Sequence, residues 1–259
     1  MANEREERRA AIDGGAIETH NLAEVMAIDF GTLLRHVVPA DAGLDNVDLM
    51  RLADLGISAR MAAAGTFLLE RLGPPAVGSL GRHPSDTVRG WACFMVGAQT
   101  MSLSDRLTAI RPFADDPHFG VREWAWLAVR SDIAAHVEEA ITLLSDWTSD
   151  PSDRVRRFAS EATRPRGVWC AHIAFLKVDP SPGRRLLEPL RADPSAYVQD
   201  SVGNWLNDAA KSRPDWVRGV VDEWCEEDPL PATRRIARRA LRSIDKSTAR
   251  KARTLIRPH

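Results

Sequence analysis

The chain is poor in lysine. Only four of its 35 basic residues are lysines, Lys177, Lys211, Lys246 and Lys251. Arginine, the planar two-pronged partner of carboxylates and phosphates, therefore supplies nearly all the positive charge. Cysteine is scarce too. Cys93, Cys170 and Cys225 are odd in number and too scattered for a disulfide framework or a zinc site, which points to a reducing compartment. The histidines (His20, His36, His83, His118, His136, His172 and His259) lack metal-ligand spacing, so no metal is expected. There is no P-loop and no glycine-rich dinucleotide fingerprint, and no cofactor is expected. No apolar run is long enough to span a bilayer, and the charged opening "MANEREERRAA" does not read as a signal peptide. A cytoplasmic protein with no membrane partner is the expectation, with residues 1–20 as a mobile or frayed leader and residues 21–259 as one domain.

Net charge is −1, but its distribution is uneven. Residues 1–150 hold 13 Lys/Arg against 22 Asp/Glu, a net of −9, whereas residues 151–259 hold 22 against 14, a net of +8. A basic second half is suited to an anionic partner.

Five segments align when the chain is slid along itself: "HPSDTVRGWACFMVG", "DPHFGVREWAWLAVR", "DPSDRVRRFASEATR", "DPSAYVQDSVGNWLN" and "DPLPATRRIARRALR". Their prolines, Pro84, Pro117, Pro151, Pro194 and Pro229, are 33, 34, 43 and 35 residues apart. Self-similarity at this period predicts a stack of helix pairs, an all-α solenoid. Proline is expected to start each inner helix, where its missing donor costs nothing, with a nearby Ser or Asp as cap. Four, seven, eight and eleven residues past each proline stand mostly apolar side chains. They are Val88, Trp91, Ala92 and Met95; Val121, Trp124, Ala125 and Ala128; Val155, Phe158, Ala159 and Ala162; Val198, Ser201, Val202 and Trp205; Thr233, Ile236, Ala237 and Ala240. That spacing is one helical face, predicted to be the buried one. Trp126 falls outside this phase, and His118 reads as a structural turn residue. Segments such as "VEEAITLLSDW" and "DWVRGVVDEWC" supply outer helices. The Asp-x-Val-Arg openings resemble HEAT repeats, whose inner helices line a concave surface.

Six, ten and fourteen residues past each proline run a second line, one turn apart and so on one face. It is bland in the first repeat (Gly90, Phe94, Ala98) and becomes charged: Glu123, Leu127, Ser131; Arg157, Glu161, Pro165; Asp200, Asn204, Asp208; Arg235, Arg239, Ser243. Two readings stand side by side. Acid–arginine ladders between neighbouring repeats explain such a line structurally, and exposed pairs of this kind contribute little. Alternatively the line is a functional face. The 43-residue repeat is about nine residues longer than its neighbours and carries the loop "RPRGVWCAH", and long loops between packed helices are more often functional. Trp169 follows the third inner helix and Asp208 lies near the end of the fourth, so a stack would bring them to one edge, with Arg164, Arg166 and Lys211 nearby.

A carboxylate and an aromatic face among phosphate-binding cations suit cleavage of a glycosidic bond, whose transition state carries positive charge on the sugar. A carboxylate stabilises that cation, and a tryptophan face adds about 1–2 kcal/mol when desolvated. A ring-alkylated, cationic base leaves readily without a strong general acid. A lyase would need a desolvated lysine; Lys211 is the one candidate, and it reads better as a phosphate contact.

"VRRFASEATRPRGVW", together with "SVGNWLNDAAK" and "FGVREWAW", resembles the AlkC/AlkD superfamily of bacterial alkylpurine DNA glycosylases, the AlkC branch more than AlkD. The likeness covers roughly residues 45–245 and is strongest over 114–245. It implies a HEAT-like solenoid that holds double-stranded DNA with alkylated bases in its concave face, as a monomer, and excises cationic bases such as 3-methyladenine without flipping them. It implies a carboxylate nearest the lesion at Asp208, further acids at Glu161 and Glu123, and an aromatic at Trp169. Arg157 would orient the acids or hold the backbone, and Arg164, Arg166, Lys211, Arg235 and Arg239 would contact DNA. Where the family pattern tends to Leu-Pro before the tryptophan, this chain has Gly167-Val168. The immunoglobulin-like domain that follows the solenoid in some AlkC-type members is expected to be absent. A DNA-binding relative without activity and a protein–protein HEAT scaffold are the competing readings; salt-dependent DNA binding separates the scaffold from the others.

Overall fold

The computed structural model describes residues 2–39 and 52–255. The start of the family-like region, residues 45–51, lies outside the described residues. Among those described there are fifteen α-helices and no strand. The chain divides into two compact units, Met1–Val129 and Arg130–His259.

In the first unit, α1 (Ala2–Asp13), α2 (Leu22–Ala27) and α3 (Phe30–Val37) lead into α4 (Ile57–Leu72), α5 (Ala76–Leu80), α6 (Asp86–Ala98) and α7 (Leu103–Ala114). The charged leader is helical over α1, and Arg8 binds the Glu24 carboxylate through Nε at 2.8 Å and Nη2 at 2.7 Å. That ion pair holds the Glu24 carboxyl down at about 2. Helix α4 packs on α6 closely enough that a Cβ on Gly65 would come within 2.5 Å of Phe94 Cβ. Thr19 joins the same unit by donating its backbone N–H and hydroxyl to Asp86, at 2.9 and 2.8 Å. His118 shares this buried network, its Nε2 2.8 Å from the Thr19 carbonyl.

Helix α8 (Phe119–Ala135) runs across the division between the units. The second unit continues with α9 (Val137–Ser145), α10 (Asp153–Glu161), α11 (Ala174–Val178), α12 (Arg184–Leu190), α13 (Ala196–Ala210), α14 (Pro214–Trp224) and α15 (Pro231–Leu255). Helix α13 packs on α10 and on α15, and α9 packs on α12. The expected core face is the observed one. All twenty residues of the first stripe, from Val88 to Ala240, are buried. Trp205 is wholly enclosed and donates Nε1–H to the Thr163 carbonyl at 3.0 Å. The ring lies so near α12 that a Cβ on Gly183 would stand 2.3 Å from its Cζ2.

The prolines do not start the helices. Pro84, Pro117, Pro151, Pro194 and Pro229 each stand two residues ahead of the first helical residue, and at Pro151 it is Ser152 that caps, its Oγ accepting from Arg154 N at 3.3 Å. The reason is the aspartate before the proline. Asp116, Asp150 and Asp193 each accept the backbone N–H two residues on (His118, Ser152, Ser195) at 2.7, 2.9 and 2.8 Å. Such a side-chain turn occupies the proline and sets the helix start after it. The arginine five residues past the proline closes the device. Arg89, Arg122 and Arg156 donate Nη1 to the two carbonyls that flank the repeat opening, at 2.8–3.2 Å. Arg89 then grips Asp116 of the next repeat through Nε at 2.8 Å, and Arg156 grips Asp193 at 2.7 Å.

Asp193 and Arg156 are largely buried, with side-chain exposures of 3% and 14%. Removing one partner leaves the other charged and unpaired, which costs far more than loss of an exposed pair. Asp193→Ala is expected to destabilise the second unit by about 3 kcal/mol, whereas Asp215→Ala, whose carboxylate on Arg218 is 93% exposed, should cost under about 1 kcal/mol. Urea unfolding of both variants measures the difference, and equal midpoints would remove the ladder from the account.

Candidate active site

The charged stripe of α10 is buried. Arg157 and Glu161 are 8% and 5% exposed, because α13 of the next repeat lies across them. Arg157 stacks its guanidinium over the Tyr197 ring, 4.9 Å from the centroid, and reaches Glu161 Oε2 at 3.5 Å. The same oxygen accepts the Ser201 hydroxyl at 2.7 Å, and Ser160 Oγ is 2.8 Å from Ser201 Oγ. Arg164 Nη1 meets the other oxygen, Oε1, at 2.7 Å. Burial works against charge on Glu161, but Arg157, Arg164 and the two hydrogen bonds outweigh it and hold the carboxyl below its ordinary value.

Asp208, near the end of α13, is 3% exposed. Its Oδ2 accepts from Arg164 Nε at 2.9 Å and Nη2 at 2.7 Å, and its Oδ1 from Lys211 at 2.9 Å. Arg166 donates to the Asp208 carbonyl at 3.2 Å and to Ser212 Oγ at 2.6 Å. Behind the loop that carries both arginines stands Arg130. It is 3% exposed and donates to the Ala162 and Arg164 carbonyls, both at 2.5 Å, satisfying acceptors that the end of α10 leaves open.

The inserted loop closes on itself through Ile173 N–H to the Pro165 carbonyl at 3.1 Å. At its tip Val168 and Trp169 are exposed, Trp169 by 51%. The Trp169 backbone is left-handed, φ 63°, a conformation uncommon for a bulky side chain and associated with functional sites. A Cβ on Gly167 would fall 2.0 Å from Cys170 Sγ, so any larger residue there would have to turn the Cys170 side chain away.

The structure thus brings together Glu161, Arg157, Arg164, Asp208, Lys211 and Arg166 in the second unit. Trp169 shares no hydrogen bond or ring contact with Asp208; it projects from the neighbouring loop. Arg235 and Arg239 sit on α15 and meet Asp200 at 2.7 and 3.0 Å, and Arg239 also donates to Asn204 at 2.9 Å. Glu123 lies in the first unit, where it accepts Trp126 Nε1–H at 2.9 Å; Trp126 is buried although out of the core phase, with its indole N–H satisfied by that bond. Sequence reasoning passed over Ser201, placing it in the core stripe. A lone hydroxyl there was the available signal, since a buried hydroxyl needs a partner. Arg130 gave no such signal. Among the described residues no group of His, Cys, Asp or Glu is placed to hold a metal ion, and no helix is long and apolar enough to cross a membrane.

Stacked helix pairs joined by aspartate–arginine contacts, with two buried carboxylates bridged by an arginine, define a HEAT-like helical-repeat protein with a built polar site. Residues 121–244 match the family described as "DNA alkylation repair enzyme". Most of the chain shares the helical-repeat architecture of AlkC and AlkD proteins. Pseudomonas fluorescens alkylpurine DNA glycosylase AlkC, solved bound to DNA containing an abasic site analog, is similar with 29% identity and a TM-score of 0.64, over 77% of this chain and 57% of that one. AlkD2 from Streptococcus mutans shares the fold at 18% identity and a TM-score of 0.57, covering 91% and 97% of the two chains. The uncharacterized protein YhaZ of Bacillus subtilis (strain 168) is 43% identical over 102 residues, 39% of this chain and 29% of that protein. The chain therefore spans less than two thirds of both YhaZ and AlkC.

The Ser201–Glu161 bond is open to direct test. Ser201→Ala is expected to cost about 1.5–3 kcal/mol, the loss of a hydrogen bond to a charged group. Because the folded Glu161 carboxyl lies below its unfolded value of 4.5, its stabilisation is complete above that value and is lost as pH falls through the folded one. With the hydroxyl gone the folded value rises toward the unfolded one, so the acid loss is smaller and is complete at a higher pH. Urea midpoints from about pH 7 to about pH 3 read this out, and parallel curves for the two proteins would show that the bond does not stabilise the charged form.

Proposed function

We propose that this protein is a monofunctional DNA glycosylase that hydrolyses the N-glycosidic bond of cationic N-alkylated bases, such as 3-methyladenine, in duplex DNA. The single observation that carries the reading is Asp208, a buried carboxylate built into the matched family segment and ringed by cations, beside a loop that holds an exposed tryptophan in a left-handed backbone. Scission of the bond develops positive charge on the deoxyribose. Asp208 stabilises that charge and orients the attacking water; the Trp169 face adds cation–π attraction. The alkylated base already carries its leaving-group charge, so neither flipping into a pocket nor a strong acid is required. Glu161 supports the same field, and Glu123 is the further acid implied by the resemblance.

Lys211 is the mobile part of this scheme. Its side chain is 44% exposed, and a flexible ammonium exchanges readily between a carboxylate and a phosphate. Docked DNA draws it from Asp208 Oδ1, which is then free to face the sugar. Arg166, Arg235 and Arg239 contact the backbone, and Arg157 orients Glu161. Counterion release from these contacts makes affinity fall with salt. A second reading, a DNA-binding relative without activity, is favoured by one fact: the bond of Asp208 to Arg164 of the preceding repeat accounts for it as an inter-repeat lock.

Base release from methylated duplex DNA decides between them. The wild-type protein is expected to release 3-methyladenine, Asp208→Asn to be slower by about a hundredfold and Trp169→Ala by about tenfold. No release by the wild type, with salt-sensitive binding equal in all three proteins, would leave the binder.

A further inference from the structure

We propose that Arg164 is a positioning residue: rather than holding DNA phosphate, its one guanidinium sets Glu161 and Asp208 against each other across two repeats. The role is additional to the glycosylase reading, and its kinetic arm rests on that reading.

All the donor edges that face the acids are in use. Nη1 binds Glu161 Oε1 at 2.7 Å, while Nε and Nη2 converge on Asp208 Oδ2 at 2.9 and 2.7 Å. The two acids come from different inner helices, so this guanidinium is a rigid spacer between α10 and α13. A flat, delocalised fork suits that task; a single ammonium on a flexible stem does not. Exposure sorts the cations into two kinds. The Arg164 side chain is 16% exposed and Lys211 is 44% exposed, so phosphate reaches Lys211 first. The Arg164 backbone is itself tied down, since its carbonyl accepts from buried Arg130 at 2.5 Å and its N–H donates to the Glu161 carbonyl at 3.3 Å.

Charge gives the arrangement a purpose. Glu161 faces Arg157, Arg164 and Ser201, and Asp208 faces Arg164 and Lys211. The carbonyl of Asp208 receives Arg166, and Cys170 and His172 border the group electrostatically. Once Lys211 leaves for phosphate, Arg164 is the cation that keeps two neighbouring carboxylates from repelling each other. It also keeps Asp208 aimed. Catalytic geometry is sensitive on the scale of an ångström, where displacement costs about a hundredfold in rate.

The test uses the full chain with Arg164→Gln and Arg164→Lys, each checked for native thermal unfolding. Carboxyl carbon NMR titration of Glu161 and Asp208 gives a readout independent of activity. In Arg164→Gln the Glu161 carboxyl is expected to titrate at higher pH than in the wild type, with partial return in Arg164→Lys. Single-turnover base release should fall by about tenfold to a hundredfold, its acid limb should move to higher pH, and affinity for abasic duplex should change less than about threefold. The opposite pattern overturns the proposal: unmoved carboxyl titrations, with DNA affinity reduced and the salt slope lowered by about one, the signature of a lost phosphate contact. If the wild type releases no base, the glycosylase reading fails while the titrations still decide the role of Arg164.

Discussion

The second unit depends on the contact between Arg156 and Asp193. Helix pairs have greasy faces, and a greasy face alone permits sliding by a turn. The arginine removes that freedom, because one guanidinium must reach its own repeat opening and the next repeat's aspartate at once. With that register set, Glu161 lies opposite Ser201 and Arg164 opposite Asp208. The candidate site is a consequence of how the repeats are stacked, and a one-turn slip would dissolve it.

The nine or so extra residues in the third repeat act on the same frame. They leave α10 short, ending at Glu161 where α8 and α13 run on for about two more turns. The freed chain turns through Pro165 and Gly167 and presents Trp169 outward. Short helix ends expose carbonyl groups that need partners, and Arg130 supplies them from α8. Its interior position is expensive, since burial disfavours the charge, and that expense fits a residue whose purpose is to hold a loop rather than to stabilise the fold.

Buried ion pairs are weak evidence of stability, because desolvation offsets much of their attraction. The Glu161–Arg164–Asp208 bridge is therefore better understood through placement than through energy. Elsewhere the same residue types meet on exposed ground, as with Arg184 and Glu223, where their contribution is small. Between α10 and α13 both acids are nearly enclosed.

The repeat, its helical phase and the twenty buried positions were legible in the sequence, because hydrophobic periodicity and the recurrent Asp-Pro are local signals. So was the identity of the charged stripe, and the family segment was carried by its own motifs. The sequence misassigned the prolines, since a helix start depends on which side chain takes the first free N–H. It passed over Ser201 and Arg130, whose partners lie 40 and 32 residues away. It placed Arg164 among phosphate ligands, where the structure binds it to two acids. What the sequence by itself determined was which residues share a face; what only the tertiary structure decided was which of them are spent on each other, because a charge's partner is set by distance across repeats and by exclusion of water, and neither is written along one chain.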